Sequence, residues 1–225
     1  STFDFATLDK ALIDLMSKIE ESFRKEKEIT VNISHELMTP VSVMRSKLEN
    51  ILIQKDIGEE TAIRIEESLQ TLQRLQRLVN SLLMIARIES HQYLLEEKAE
   101  VRSILAEITG ELRPVTADKE IDLKEEYEDD GGFGPANRPL LFSMFYNVVN
   151  NAVKNTFQGG TITIKIQRVS GILRVVISDT GRGMDQEQLS ALFSRFSSRR
   201  GNDENGTGIG LAITKSIADL HQIGI

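Results

Sequence analysis

Residues 62–86 read AIRIEESLQTLQRLQRLVNSLLMIA, and their periodicity decides the first half of the fold. Ala62, Ile65, Leu69, Leu72, Gln76, Val79, Leu83 and Ala86 recur at alternating steps of three and four, the spacing that aligns side chains on one helical face. Leu75, Leu78, Leu82 and Ile85 lie beside that stripe and widen it. So wide a stripe covers more than one partner helix, which suits a bundle better than a two-stranded coil.

Upstream, Leu8, Leu12, Leu15, Ile19, Ile29 and Ile33 follow the same rhythm, interrupted at Ser22 and Glu26. Between the two runs, Gln54–Glu60 carries Gly58 and several charges, enough for a short turn. Two long helices joined this tightly form an antiparallel hairpin. One hairpin leaves its apolar face half covered, so a homodimer forming a four-helix bundle is the expected completion.

After about Ser90 the rhythm changes. Val101–Asp118 reads as a helix, Ile121–Tyr127 as a strand, Asp129–Pro135 as a polar loop rich in glycine, and Leu140–Asn155 as a second helix. Thr161–Val169 alternates through Ile162, Ile164 and Ile166, and Ile172–Ile177 is rich in β-formers, with Ser170-Gly171 between them as a hairpin turn. Helical segments recur near Asp185–Phe193 and Gly208–His221. The expected fold class is α + α/β. A helical hairpin over residues 1–90 is followed by a linker at Ser90–Lys98. An α/β sandwich over residues 99–225 completes it, one mostly antiparallel sheet with helices on one face.

Bulk properties narrow the function. The 225 residues are 40% hydrophobic, sufficient for packed cores, and the net charge of −7 argues against a nucleic-acid surface. The absence of cysteine excludes disulfides and thiolate metal sites. No apolar run approaches the roughly 18–20 residues of a membrane helix. The chain opens at Ser1 inside a helical pattern, and is read as a soluble piece of something longer, with room for an upstream sensor or membrane segment.

Of the three histidines, His91 and His221 read as surface or half-buried polar residues. His35 differs through its neighbours, Ser34-His35-Glu36-Leu37-Met38-Thr39-Pro40. Pro40 cannot donate to the Glu36 carbonyl and crowds that turn, which predicts a bend. His35 and Thr39 stand one turn apart on the same face. A neutral imidazole is a good nucleophile, and Glu36 can orient its second nitrogen and take its proton. A structural kink is the competing reading.

In the second half, Asn147, Asn150 and Asn151 cluster within a helix, with Lys154 one turn on. Asparagine is a mediocre helix former, so the cluster calls for a reason other than propensity. An amide oxygen is a hard ligand that Mg²⁺ accepts beside phosphate oxygens and water, and Lys154 could meet a phosphate as a point charge. A solvated polar face is the alternative. Asp179-Thr180-Gly181-Arg182-Gly183 follows a strand end, where a carboxylate can accept from an exocyclic amine such as that of adenine. Gly206-Thr207-Gly208-Ile209-Gly210-Leu211 opens the last helix, an anion-binding arrangement that is neither a dinucleotide fingerprint nor a lysine-bearing P-loop.

Together these motifs resemble those of the sensor histidine kinases of two-component systems. Ser34–Pro40 is similar to the H box, Asn147–Lys154 to the N box, Asp179–Gly183 to the first glycine box, Phe193 and Phe196 to the F box, and Gly206–Leu211 to the second glycine box. The resemblance implies a phosphoacceptor hairpin followed by a Bergerat-type ATP-binding domain in a cytoplasmic kinase core. It implies ATP-dependent autophosphorylation of His35, with Glu36 as acid/base partner, then transfer to an aspartate of a response-regulator receiver domain. Thr39 would position water for dephosphorylating that regulator. Asn151 would hold Mg²⁺, and Asn147 and Lys154 would meet the phosphates. Asp179 would read adenine beside Gly181 and Gly183, Gly206, Thr207, Gly208, Gly210 and Leu211 would complete the nucleotide site, and Ser197–Asn205 would form a lid. The sequence departs from the family at Met38, where a basic residue is usual, and at Asn155, where an aromatic or histidine is common. The chain also stops at Ile225, before the closing strands the family normally has, so the ATP-binding domain is expected to be incomplete at its C-terminal end. A phosphatase-biased kinase, a gyrase-type ATPase clamp and a dimerisation module without chemistry are the alternatives, the long hairpin counting against the clamp.

Overall fold

The computed structural model describes residues 15, 18, 25, 36–53, 57–194 and 208–225. The chain divides into two compact units, Ser1–Gln92 and Tyr93–Ile225.

The first unit contains helix α1 over residues 36–52 and helix α2, Glu59–Glu89. Gly58 takes an extended N-cap conformation and accepts from the Ala62 N–H at 3.1 Å, while Glu59 and Glu60 place negative charge at the positive end of α2. The stripe that defines α2 is its covered side: Ile65, Ile85 and Ile88 are buried, and Leu69, Leu72, Val79 and Leu83 are half-buried. Helix α1 continues through Pro40 and buries Val41, yet Leu37, Met44 and Ile51, seven residues apart, stay 45%, 45% and 38% exposed. Of the upstream seam only Leu15 is described, helical and exposed; Leu8, Leu12, Ile19, Ile29, Ile33 and His35 lie outside the described residues.

In the second unit, β1 (Glu97–Glu100) leads into α3 (Val101–Asp118), β2 (Asp122–Tyr127), β3 (Gly132–Ala136), α4 (Arg138–Asn155), β4 (Thr161–Val169), β5 (Ile172–Asp179), a short α5 (Gln186–Ser190) and α6 (Gly210–Leu220). The alternation seen along β4 sets the core: Ile162, Ile164 and Ile166 are all 0% exposed. They face their β5 partners in register, Ile164 opposite Ile177 and Ile166 opposite Val175, so both strands present one apolar face. Helices α3 and α4 cover the core, α3 through Ile104, Leu105 and Ile108 and α4 through Leu140, Leu141 and Val149. Arg138 pairs with Glu107 at 2.6 Å, linking the two helices. Ser170 and Gly171 both take positive φ, 52° and 82°, as a tight hairpin turn requires.

Two features differ from the sequence expectation. The sheet is not one mostly antiparallel layer: β2 pairs with β4 in parallel, β4 with β5 antiparallel, and β1 with β3 form a separate antiparallel pair. Alternation reports which face a residue occupies and not the strand's direction. The parallel pair is possible because β3 and α4 intervene as a crossover. The stretches read as linker and loop also contain β1 and β3. Glycine, proline, lysine and glutamate are all depleted in strands, so nothing local marks these two. Their close approach does: a Cβ at Gly134 would sit 3.1 Å from the Glu97 carbonyl oxygen, and Ala99 and Ala136 are 2% and 0% exposed. No helix among the described residues is long and apolar enough to cross a membrane.

Candidate nucleotide site

Helix α4 carries three of the expected site residues, Asn147, Asn151 and Lys154, and both its ends are anchored. At the N-terminal end Asn137 is the cap. Its Oδ1 accepts from the Leu140 N–H at 3.2 Å and its Nδ2 donates to the Leu94 carbonyl at 3.2 Å. The Asn137 N–H donates to Nε2 of His221 at 3.0 Å, and Nδ1–H of His221 donates to the Ile217 carbonyl at 2.9 Å. With one nitrogen accepting and the other donating, the ring is neutral with its proton on Nδ1. His221 is 5% exposed, and burial holds its pKa below the ordinary 6.5, against the opposing effect of the Ile217 bond. The expectation of a surface or half-buried histidine is therefore corrected to a buried one. It ties the end of α6 to the start of α4.

At the C-terminal end the side chains are polar. Asn147 and Asn151 lie one turn apart and are half-buried. Helix α6 approaches so closely that a Cβ on Gly210 would meet Oδ1 of Asn147 at 3.2 Å, which brings the second glycine box against the N box. Asn155 donates through Nδ2 to the Asn151 carbonyl at 2.8 Å and to Asn151 Oδ1 at 3.1 Å. Lys154 is exposed at the last turn. Lys119 from the end of α3 donates to the Val153 carbonyl at 2.9 Å, placing a cation at the negative end of α4. A lysine just past one helix gives no sequence sign that it will cap another.

The Asp179 turn packs under this helix end. Gly181 has no space for a side chain: a Cβ there would overlap the Asn155 carbonyl and lie 2.7 Å from Oδ1 of Asp179. Its N–H donates to that Oδ1 at 2.9 Å, and the Arg182 N–H approaches the Asn155 carbonyl at 3.4 Å. The Asp179 carboxylate is thus held by backbone while remaining exposed, with acceptor capacity beyond that bond. Gly183 and Gly208 take φ of 67° and 66°, where other residues would be strained. Asp185 caps α5 with a reciprocal Gln188 bond, ending the turn.

Asn147, Asn151, Asp179, Gly181 and Gly210 are therefore drawn around the C-terminal half of α4, Leu211 follows Gly210 on α6, and Phe193 stands half-buried after α5. Glu36 and Thr39 are exposed on α1 in the other unit. His35, Phe196, Gly206, Thr207 and the expected lid at Ser197–Asn205 lie outside the described residues.

The second half of the chain is a two-layer α/β domain that brings a polar helix end and glycine turns together, and the family description that matches it agrees with that chemistry. Residues 136–225 match the model described as histidine kinase-, DNA gyrase B-, and HSP90-like ATPase. Residues 25–91, which include His35, match the His Kinase A phospho-acceptor domain. With both models in this order, the chain belongs to the sensor histidine kinases of two-component systems.

The chain is 30% identical over 226 residues to the Drug sensory protein A of Synechocystis sp., covering 93% of this chain and 34% of that protein. It is also 30% identical over 220 residues to the phosphate regulon sensor protein PhoR of Pseudomonas aeruginosa, covering 94% of this chain and 48% of that one. The chain thus spans less than half the length of these relatives. In fold it is similar to full-length ShkA, solved in complex with AMPPNP, with a TM-score of 0.69 at 22% identity over 86% of this chain and 41% of that one.

Proposed function

We propose that this chain moves the γ-phosphoryl group of ATP to His35 and then to an aspartate of a response-regulator receiver domain. The observation that supports it most is the meeting of three motifs at one helix end, Gly210 against Asn147 and Gly181 against the Asn155 carbonyl. An imidazole nitrogen of His35 attacks phosphorus in line, the N–P bond forms, the bond to the ADP oxygen breaks, and Glu36 takes the imidazole proton. Asp179 accepts from the adenine amine. Asn147 and Lys154 hold phosphate oxygens, and the glycine-rich start of α6 presents backbone N–H groups to them.

The residues fit a magnesium ion of a particular kind. Among the described residues there is no cluster of three or more histidine or acidic side chains that could cage a cation. A half-buried amide oxygen at Asn151 is a single hard ligand, which suits an ion that arrives with phosphate oxygens and water. Mg²⁺, when bound, neutralises charge on the phosphates.

The apolar residues left exposed along α1, Leu37, Met44 and Ile51, support a homodimer through the hairpins. Sedimentation should give a dimer at micromolar concentration, and a monomer there would contradict it. The names and greater length of the relatives support a place for the chain within a longer sensor protein, and we place this kinase core in the cytoplasm. The activity itself is tested with radiolabelled Mg-ATP. The expected product is an acid-labile, base-stable label that is absent from His35→Ala, and a label retained in that variant would refute the assignment.

A further inference from the structure

Asn155, the last residue of α4, has a side chain that reaches back one turn. Its Nδ2 stands 2.8 Å from the Asn151 carbonyl oxygen. That oxygen can only accept, so the NH₂ end of Asn155 must face it. The same Nδ2 lies 3.1 Å from the side-chain oxygen of Asn151. Turning the Asn151 amide over would set one NH₂ against another, with no acceptor between them. The backbone therefore fixes Asn155, and Asn155 fixes Asn151.

We infer that Asn155 is a positioning residue, which presents Oδ1 of Asn151 in the one orientation that can ligate the magnesium of the bound nucleotide. This role rests on Asn151 being the metal ligand. An amide oxygen has two lone pairs; one receives the Asn155 N–H and the other remains for the cation. Without a donor at position 155 the two ends of the Asn151 amide become interchangeable, and the NH₂ end repels a cation. Groups that orient a metal ligand from behind commonly carry a large share of its affinity. Asn155 is itself held in place, because its carbonyl receives the Arg182 N–H at 3.4 Å and rests on Gly181, the residue whose N–H holds Asp179. The adenine-side turn and the metal ligand are thus joined through one asparagine.

The test measures the affinity of the 225-residue chain for AMPPNP, in EDTA and across a Mg²⁺ titration, in two backgrounds. Asn155→Leu keeps the number and branching of the side-chain heavy atoms and removes the donor. It should shift the Mg²⁺ midpoint upward by about ten-fold, while metal-free AMPPNP affinity, which also reports intact folding, changes by less than about two-fold. Asn155→Ala serves as a second variant if the leucine disturbs packing. In an Asn151→Asp background both oxygens are equivalent and orientation no longer matters, so adding Asn155→Leu should shift the midpoint by less than about two-fold. An unchanged midpoint in Asn155→Leu, or the same shift in both backgrounds, would overturn the positioning role. Asn151→Ala separates the two levels: if it leaves the Mg²⁺ dependence intact, the assignment of Asn151 is what fails.

Discussion

At its first turn, α4 meets His221, a residue 5% exposed whose two ring nitrogens are both engaged by backbone groups of the protein. At its last turns the same helix carries Asn147, Asn151 and Asn155, all half-buried, above a carboxylate at Asp179 that is exposed. Both ends are polar and both are tied to α6 or to a turn. The first end has its hydrogen-bonding capacity closed by protein, whereas the second keeps acceptors open to something else. A polar group whose needs are met internally reads as architecture, and one held in place with capacity to spare reads as a binding group.

Exchanging the damage between the ends is the strongest way to break this contrast. Asn151→Ala should lower the initial rate of autophosphorylation by on the order of 100-fold, because the lost ligand acts on charge at the transferring group. Its unfolding free energy should move by only about 0.5 kcal/mol. His221→Ala should do the reverse. It strands the half-buried Asn137 N–H and should cost about 1–3 kcal/mol of stability. Its affinity for Mg-AMPPNP, measured where the protein is folded, should stay within about two-fold of wild type. Initial rates, denaturant midpoints and nucleotide titrations on both variants decide the matter, and a stability loss in Asn151→Ala as large as that in His221→Ala would remove the distinction.

A smaller effect sharpens the same contrast through pH. Burial lowers the folded-state pKa of His221 below 6.5, so the unfolded chain binds its proton more readily. The stability due to this histidine is then fully present above about pH 6.5 and is lost as the pH falls through that value toward the folded-state pKa. A proton on Nε2 would also oppose the Asn137 N–H. The difference in melting temperature between wild type and His221→Ala should narrow between about pH 7.5 and pH 5.5. A difference that is constant or widens would contradict the neutral tautomer.

What could be read in the sequence was whatever repeats along it. The bounds of α3 and β4 were legible, one from apolar spacing and the other from Ile162, Ile164 and Ile166. The candidate site residues stand out as motifs because Asn147, Asn151, Asp179, Gly181 and Gly210 keep their family order, and the fold sets Gly210 against Asn147 and Gly181 against Asn155. Strands β1 and β3 were not, since Gly132, Gly134 and Pro135 are held in a strand only by their partner, and the parallel direction of β2 beside β4 leaves no mark in either segment. The sequence offers His221 only as a surface or half-buried polar residue, because its two partners, Asn137 and Ile217, are set by packing of α6 on α4. Asn155 was visible only as a departure from the family pattern. Its bonds to Asn151 and its contact with Gly181 arise where a helix end meets a distant turn.

Hydrogen–deuterium exchange with and without Mg-AMPPNP tests the central contrast most directly. Peptides containing residues 147–155 and 179–183 should gain protection on binding, while those containing Asn137–Leu141 and Ile217–His221 should exchange as before. Protection appearing first at the Asn137–His221 end, with residues 147–155 unchanged, would place the ligand at the wrong end of α4 and contradict the account.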